Sequence, residues 1–182
     1  MLAFFTCFGG FDAFGQREIG KQLFSTFLTR RVPLILVDLD VKKLEDVALG
    51  NKSVACVDGD VAQEATWIRV LDAARKMGLP ISHLINCAGV IRPGFLEGYA
   101  LADIDYHLNC NAKGTILGTT LIGREMKNQG FGHILNISSL AGLAPVSGLS
   151  LYAASKFAVR GFSLSVAAEL KKYGVWVTVI CP

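Results

Sequence analysis

Short apolar runs alternate with amphipathic stretches along the whole chain, and this alternation constrains the fold more than any other feature. We predict strands over the apolar runs at residues 2–8, 34–37, 53–57, 83–86, 133–138 and 175–180. We predict helices over the amphipathic stretches at residues 16–29, 41–49, 63–77, about 101–127 and 151–173. Strands that alternate with helices form a parallel sheet covered on both faces. The sequence therefore predicts an α/β, doubly wound parallel sheet, in a single domain spanning residues 1–182.

Composition and charge exclude several classes of protein. With 52% hydrophobic and 18% charged residues, the chain is expected to fold rather than stay disordered. The net charge of +3 is small and its basic pairs are scattered, which argues against nucleic acid as a partner. The apolar residues 1–5 lack a basic lead-in and are too few for a signal peptide, and no apolar stretch is long enough for a transmembrane segment.

The cysteines and histidines carry little sign of a disulfide framework or a metal site. The five cysteines form no Cys-x-x-Cys pair, and their odd number argues against a disulfide framework. A reducing compartment fits this usage best, so we expect a cytoplasmic protein. The three histidines are isolated and lack metal-ligand spacing, so we expect no bound metal.

A tyrosine and a lysine four residues apart, Tyr152 and Lys156, are the strongest indication of chemistry. On a helix these positions share a face, so the two side chains can meet. A free tyrosine titrates near pH ~10, and a nearby ammonium is expected to lower its pKa toward the working range of a general base. Ser139, thirteen residues before the tyrosine, offers a hydroxyl that can hold a substrate oxygen during proton exchange.

Two features of the first half of the chain favour a dinucleotide. The first strand leads into Gly9, Ala13 and Gly15, whose spacing suits a tight turn against a pyrophosphate, although on this motif alone an ordinary strand–helix turn is slightly favoured. Asp38 ends the second strand, where a carboxylate can bind the adenosine ribose hydroxyls and repel a 2′-phosphate. Because Leu39 follows instead of a basic residue, NAD is favoured over NADP; alternatively, Asp38 caps the next helix.

Together these motifs resemble the short-chain dehydrogenase/reductase family, in the correct order over essentially the whole chain. The family's Asp-Val pair, which holds the adenine, matches Asp60-Val61, and its Asn-x-Ala-Gly turn matches residues 86–89. The resemblance assigns cofactor binding to Gly9, Ala13, Gly15, Asp38, Asp60, Val61, Asn86, Ala88, Gly89, Tyr152 and Lys156. It assigns catalysis to Asn111, Ser139, Tyr152 and Lys156.

The resemblance implies a Rossmann-like sheet with strand order 3-2-1-4-5-6 and an NAD(P)-dependent oxidoreductase acting on an alcohol or ketone. Asn111 would position a water that joins Lys156 to solvent, and Lys156 would also bind the nicotinamide ribose. Helices 101–127 and 151–173 would form the interface of a homodimer or homotetramer.

Four positions depart from the family pattern or compete for a role. Ala13 replaces the usual middle glycine and adds a methyl group against the cofactor phosphates, and Phe8 replaces the usual threonine. Ser138 and Ser139 point to opposite faces, and the family spacing selects Ser139, which leaves Ser138 to bond the backbone.

The substrate is less closely specified. Residues 143–149 carry no charge, which favours a fairly apolar small-molecule substrate, although a simply packed loop explains them equally well. Arg92 could meet an anionic substrate group or remain solvated.

The family's chain continues after a proline such as Pro182 with a covering loop and a seventh strand, so we expect that strand to be missing and the domain to be C-terminally incomplete. Two alternatives to an enzyme therefore stay open. One is a truncated, weakly active relative that acts as an interaction partner, and the other is a module that binds a nucleotide without chemistry.

Overall fold

The structure is a computed structural model, and it describes residues 1–6, 16–40, 42, 46, 48 and 50–182. Gly9, Ala13 and Gly15 of the predicted glycine motif lie outside the described residues, as does most of the predicted helix over 41–49.

The described strands form one parallel sheet. They are β1 (Leu2–Thr6), β2 (Leu34–Asp38), β3 (Val54–Asp58), β4 (Ile81–Asn86), β5 (Gly132–Ile137) and β6 (Val175–Ile180). Their order is β3-β2-β1-β4-β5-β6, and every neighbouring pair runs parallel. The predicted fold class and strand order are therefore confirmed. Because all strands point the same way, their carboxyl ends meet at one edge of the sheet.

The described helices are α1 (Gln16–Thr29), α2 (Glu64–Met77), α3 (Ala102–His107), α4 (Gly114–Gln129) and α5 (Ser150–Leu170). A π-helical segment, Leu108–Lys113, joins α3 to α4. The helix predicted over about 101–127 covers the right residues, but it is not one regular α-helix, because the π-helical segment interrupts it. Single π turns inside longer helices occur frequently at functional sites, and this one contains Asn111. Within the described part of the chain, no helix is both long and apolar enough to cross a membrane.

Each face of the sheet packs against helices, because alternate strand residues point to opposite faces. Buried residues of α2 and α4 cover one face, where the core includes Ile35, Val37, Trp67, Leu84, Ile122, Met126 and Ile134. Phe24 of α1 covers the other face, where the core includes Leu34, Leu36, Ile85 and Ile137. This packing fixes the strands whose carboxyl ends carry the predicted site.

Candidate active site

The predicted catalytic residues come from three elements that meet at the carboxyl edge of the sheet. Ser139 follows β5, Asn111 lies in the π-helical segment, and the first turns of α5 carry Tyr152 and Lys156. Ligands of open α/β sheets bind at this edge, outside the carboxyl ends of the strands.

Lys156 is almost fully buried, with 1% of its surface exposed. Its Nζ atom donates a hydrogen bond of 2.9 Å to the backbone carbonyl of Ile137, at the end of β5. The same Nζ atom lies 5.6 Å from the centroid of the Tyr152 ring, so the helix brings the predicted pair together. Burial lowers the pKa of Lys156 to about 8, because the apolar surroundings disfavour the charged ammonium.

Tyr152 lies in a small apolar cluster at the start of α5. It packs with Ala141 and Ala153, and Ile91 and Leu149 contact the same cluster. Burial raises the pKa of Tyr152, and a hydrogen bond with the Ser139 hydroxyl acts in the opposite direction. The prediction that the pKa of Tyr152 is lowered is therefore wrong for this structure, in which desolvation of the ring is the largest effect.

The two neighbouring serines have separate environments. Ser138 is buried, and its hydroxyl donates a 2.8 Å hydrogen bond to the backbone carbonyl of Lys156. Ser139 is extended, and its Oγ atom accepts a 3.2 Å hydrogen bond from the Ala141 N–H. The structure therefore places the Ser139 hydroxyl beside Tyr152 and uses Ser138 to hold the backbone of α5, as the sequence predicts.

Asn111 is fully buried, and its side-chain amide is committed to protein groups. Its Oδ1 atom accepts a 2.7 Å bond from the Val90 N–H, and its Nδ2 atom donates to the Val90 carbonyl at 2.9 Å. The same Nδ2 donates to Ser155 Oγ at 2.9 Å, and that hydroxyl donates to the Tyr152 carbonyl at 2.6 Å. Because both amide hydrogens are used, the side chain ties the loop after β4 to α5, and the water that joins Lys156 to solvent stays a prediction.

The described cofactor-side residues are held at the strand ends. Asp38 is 4% exposed at the end of β2, and its Oδ1 atom accepts a 2.8 Å bond from the Asp40 N–H. Asp60 Oδ1 accepts a 2.8 Å bond from the Ala62 N–H, and the Val61 carbonyl accepts from the indole of Trp67 at 2.8 Å. These bonds fix the turns that follow β2 and β3.

Three of the predicted cofactor-binding residues, Asn86, Ala88 and Gly89, lie at the end of β4 and in the turn that follows it. Asn86 is 3% exposed, and its Nδ2 atom donates to Thr119 at 3.1 Å and to Asn136 Oδ1 at 2.8 Å. Its side chain therefore joins β4 to α4 and β5. Ala88 and Gly89 follow at the carboxyl end of the strand.

Sequence reasoning missed Ser155 and the partners of Arg92. The Arg92 guanidinium forms an ion pair with Asp103 and lies 4.3 Å from the centroid of the Tyr106 ring. Its backbone N–H donates to His107 Nε2 at 3.0 Å. With 56% of its side chain exposed, Arg92 agrees with the solvated alternative, and contact with an anionic substrate group stays a prediction. Arg92 lies in the loop after β4 and Asp103 in α3, so no periodicity within one element could have shown the contact.

Comparisons with known proteins agree with this geometry. A model of the family described as short chain dehydrogenase matches residues 15–182. The 3-alpha-(or 20-beta)-hydroxysteroid dehydrogenase of Mycobacterium bovis is 40% identical over 123 residues, which are 68% of this chain and 47% of that protein. The D-threitol dehydrogenase of Mycolicibacterium smegmatis is 34% identical over 171 residues, which are 90% of this chain and 65% of that protein.

The solved structures show the same fold. The apo form of LigO from Sphingobium sp. strain SYK-6 superposes with a TM-score of 0.86 at 26% identity, and covers 100% of this chain and 67% of that one. The chain therefore belongs to the short-chain dehydrogenase family. It spans about half the length of the hydroxysteroid dehydrogenase that it matches.

Proposed function

We propose that residues 1–182 form the cofactor-binding and catalytic unit of an oxidoreductase that transfers a hydride between a nicotinamide cofactor and an alcohol or ketone. The observation that carries the proposal is the buried Lys156 ammonium, whose Nζ atom lies 5.6 Å from the centroid of the Tyr152 ring, with the Ser139 side chain close enough to affect the Tyr152 pKa. A bound nicotinamide cofactor would supply or accept the hydride. The described side chains would move the proton and hold the substrate.

Tyr152 is the proposed general acid and base. During reduction, its hydroxyl donates a proton to the carbonyl oxygen, and the pKa raised by burial keeps that hydroxyl protonated beforehand. During oxidation the step runs in reverse: the Tyr152 phenolate accepts the proton of the alcohol and becomes the phenol, and the positive charge of the Lys156 ammonium favours that phenolate beforehand. The Ser139 hydroxyl holds the substrate oxygen, and Asn111 keeps Tyr152 in place through Ser155.

The described residues fit a dinucleotide by the chemistry of their side chains. The Asp38 carboxylate at the end of β2 suits the adenosine ribose hydroxyls, and Lys156 suits the hydroxyls of the nicotinamide ribose. Asp60 and Val61, after β3, suit the adenine, and Ala88 and Gly89 follow β4 at the same edge. We propose NAD rather than NADP, because the Asp38 carboxylate repels a 2′-phosphate and the exposed Leu39 provides no cation to pair with one.

We also propose that the protein is a homodimer or homotetramer in the cytoplasm. Apolar side chains lie exposed along the two helical segments expected at the interface, namely Leu101, Ile104, Leu108, Phe157 and Leu164. Contact between copies would remove these side chains from water, which favours association.

The test is Tyr152→Phe, which removes the hydroxyl and keeps the ring. We expect NAD-dependent alcohol oxidation to fall by about 10³-fold, the scale of general acid–base catalysis, while NADH affinity stays within about twofold. Tyr173→Phe is the matched control, because Tyr173 is a half-buried tyrosine in the short helical turn after α5, and this variant should retain the parent rate.

Three outcomes separate the alternatives. A Tyr152→Phe protein that oxidises alcohols at the parent rate refutes the assignment of the general acid. Saturable NADH binding without turnover of any alcohol leaves the nucleotide-binding module. No saturable binding of NADH or NADPH leaves only the interaction partner.

A further inference from the structure

Exposed apolar side chains lie on the two loops whose Ile91 and Leu149 pack against the Tyr152 cluster. We call this set the rim: Phe95, Leu96, Leu140, Leu143 and Val146, which are 63%, 84%, 64%, 48% and 44% exposed. They lie on two loops, one after β4 (residues 87–101) and one after β5 (residues 138–149). Five large apolar side chains in water on two neighbouring loops indicate a surface that binds something apolar.

The two loops are joined, so the rim is one surface. The Gly94 N–H donates to the Gly148 carbonyl at 2.9 Å. The Tyr99 hydroxyl donates to the Gly94 carbonyl at 2.7 Å and lies 2.9 Å from Ser150 Oγ. Gly148 has a φ of +77°, which glycine adopts readily, and a Cβ there would lie 3.8 Å from the ring of Phe95. Phe95 therefore stands against the second loop.

Apolar surface continues from the rim to the reacting groups. Ile91 and Leu149, one from each loop, pack against the cluster that contains Tyr152. A substrate oxygen held by Ser139 and Tyr152 would therefore have apolar walls beside it and apolar side chains farther out.

Free charge is nearly absent from the two loops. The loop after β5 has no charged residue, and the loop after β4 has only Arg92 and Glu97. The Arg92 guanidinium is occupied by Asp103 and by the face of Tyr106. A polyol would therefore find few charged or strongly polar side chains here, whereas an apolar skeleton would bury the rim.

We propose that the rim recognises a bulky apolar alcohol or ketone, with fused rings or a long chain, and that Phe95 is a specificity-determining residue. The proposal rests on the proposed function, because it takes the Ser139–Tyr152 corner as the place of the reacting oxygen. It adds the class of substrate and the residues that select it.

Decahydronaphthol, a fused-ring alcohol, and threitol, a small polyol, are the two probes. We expect kcat/KM for decahydronaphthol to exceed that for threitol by about tenfold or more, since each buried methylene contributes severalfold. Phe95→Ser should lower kcat/KM for decahydronaphthol about tenfold and leave threitol within about twofold. Trp176→Ser is the matched control, because Trp176 is 60% exposed near the amino end of β6, at the opposite edge of the sheet, and should leave both values unchanged.

Calorimetric titration with decahydronaphthol in the presence of NADH separates the rim from the chemistry. Saturable binding of decahydronaphthol that Phe95→Ser weakens supports the proposed role of the rim. If neither alcohol is oxidised in that case, the proposed oxidoreductase activity is refuted while the role of the rim stands. Threitol oxidised as well as decahydronaphthol overturns the rim and leaves the oxidoreductase standing. The proposed role of the rim is also overturned if Phe95→Ser lowers kcat/KM equally for both alcohols, or if decahydronaphthol does not bind.

Discussion

Two neighbouring regions of the site differ in their environment: the buried corner consists of hydrogen-bonded polar side chains, and the rim of exposed apolar ones. The buried corner consists of Asn111, Ser138, Ser155 and Lys156, each at most 1% exposed and each hydrogen-bonded to backbone groups. The rim consists of side chains 44% to 84% exposed. Unmade hydrogen bonds of buried groups are costly, whereas exposed apolar side chains contribute little to stability.

The proposed chemistry therefore depends on buried hydrogen bonds, and the proposed specificity depends on apolar surface that a substrate would cover. Changes in the buried corner should cost folding energy as well as activity, because the same hydrogen bonds serve both. Changes in the rim should alter the choice of substrate at almost no cost in stability. The free energy of unfolding of variants in each region distinguishes the two.

The largest effect is expected from Asn111→Ala. Removing the amide leaves the N–H and the carbonyl of the buried Val90 without their partner, and each such group costs about 1–3 kcal/mol. We expect the free energy of unfolding in urea to fall by about 4 kcal/mol. Asn109→Ala is the matched control, because Asn109 lies exposed in the same π-helical segment and should change it by less than about 0.5 kcal/mol. Equal losses in the two variants would contradict the assigned role of Asn111.

Local patterns in the sequence predicted the frame of the molecule. The strand predictions agree to within about two residues where the apolar runs are sharp, as for β5 and β6. Tyr152 and Lys156 are recognisable because positions four apart share a helix face, and Ser139 because the family's spacing to the tyrosine selects it. Both signals depend on residues that are near one another in the sequence.

Contacts between distant residues could not be predicted in the same way. Asn111 bonds Val90 and Ser155 across twenty-one and forty-four residues, and these bonds accompany the π-helical segment that periodicity read as a regular helix. The direction of the Tyr152 pKa was mispredicted because it depends on how deeply the ring is buried, which spacing does not show.

The next effect, of opposite sign, is expected from Lys156→Met. Lowering the lysine pKa from 10.5 to about 8 corresponds to about 3 kcal/mol of destabilisation near neutral pH. Losing the bond to the Ile137 carbonyl subtracts about 1 kcal/mol, so the variant should be about 2 kcal/mol more stable at pH 7 while turnover is lost.

The pH dependence of the stability gained in Lys156→Met tests whether burial of the lysine charge causes it. Between pH 8 and 10.5 the unfolded lysine keeps its proton while the native Lys156 has lost it, so the unfolded state binds more protons. Wild-type stability therefore rises with pH over this interval relative to the variant, and the advantage of methionine shrinks. Urea unfolding of both proteins from pH 7 to 10 measures the difference. An advantage that does not change with pH would exclude burial of the charge as its source.

A smaller loss is expected from Ser155→Ala. The change removes the acceptor of one Asn111 amide hydrogen and the donor to the Tyr152 carbonyl, and should cost about 1.5 kcal/mol. Ser165→Ala is the control on the same helix, because the exposed Ser165 hydroxyl also bonds a carbonyl of α5, that of Gly161, at 3.1 Å. Thermal unfolding should separate the two, and a Ser165 variant as unstable as the Ser155 variant would argue that burial is irrelevant.

The smallest effect is expected from Leu96→Ser in the rim. Leu96 is 84% exposed, so its replacement should change the free energy of unfolding by less than about 0.5 kcal/mol. A substrate that covers the rim would still lose apolar contact, so binding of decahydronaphthol should weaken by severalfold in the same protein. Calorimetry and urea unfolding on one preparation test both halves together. A loss of stability as large as that of Ser155→Ala would remove the distinction between the two regions, since the rim would then be part of the packed fold.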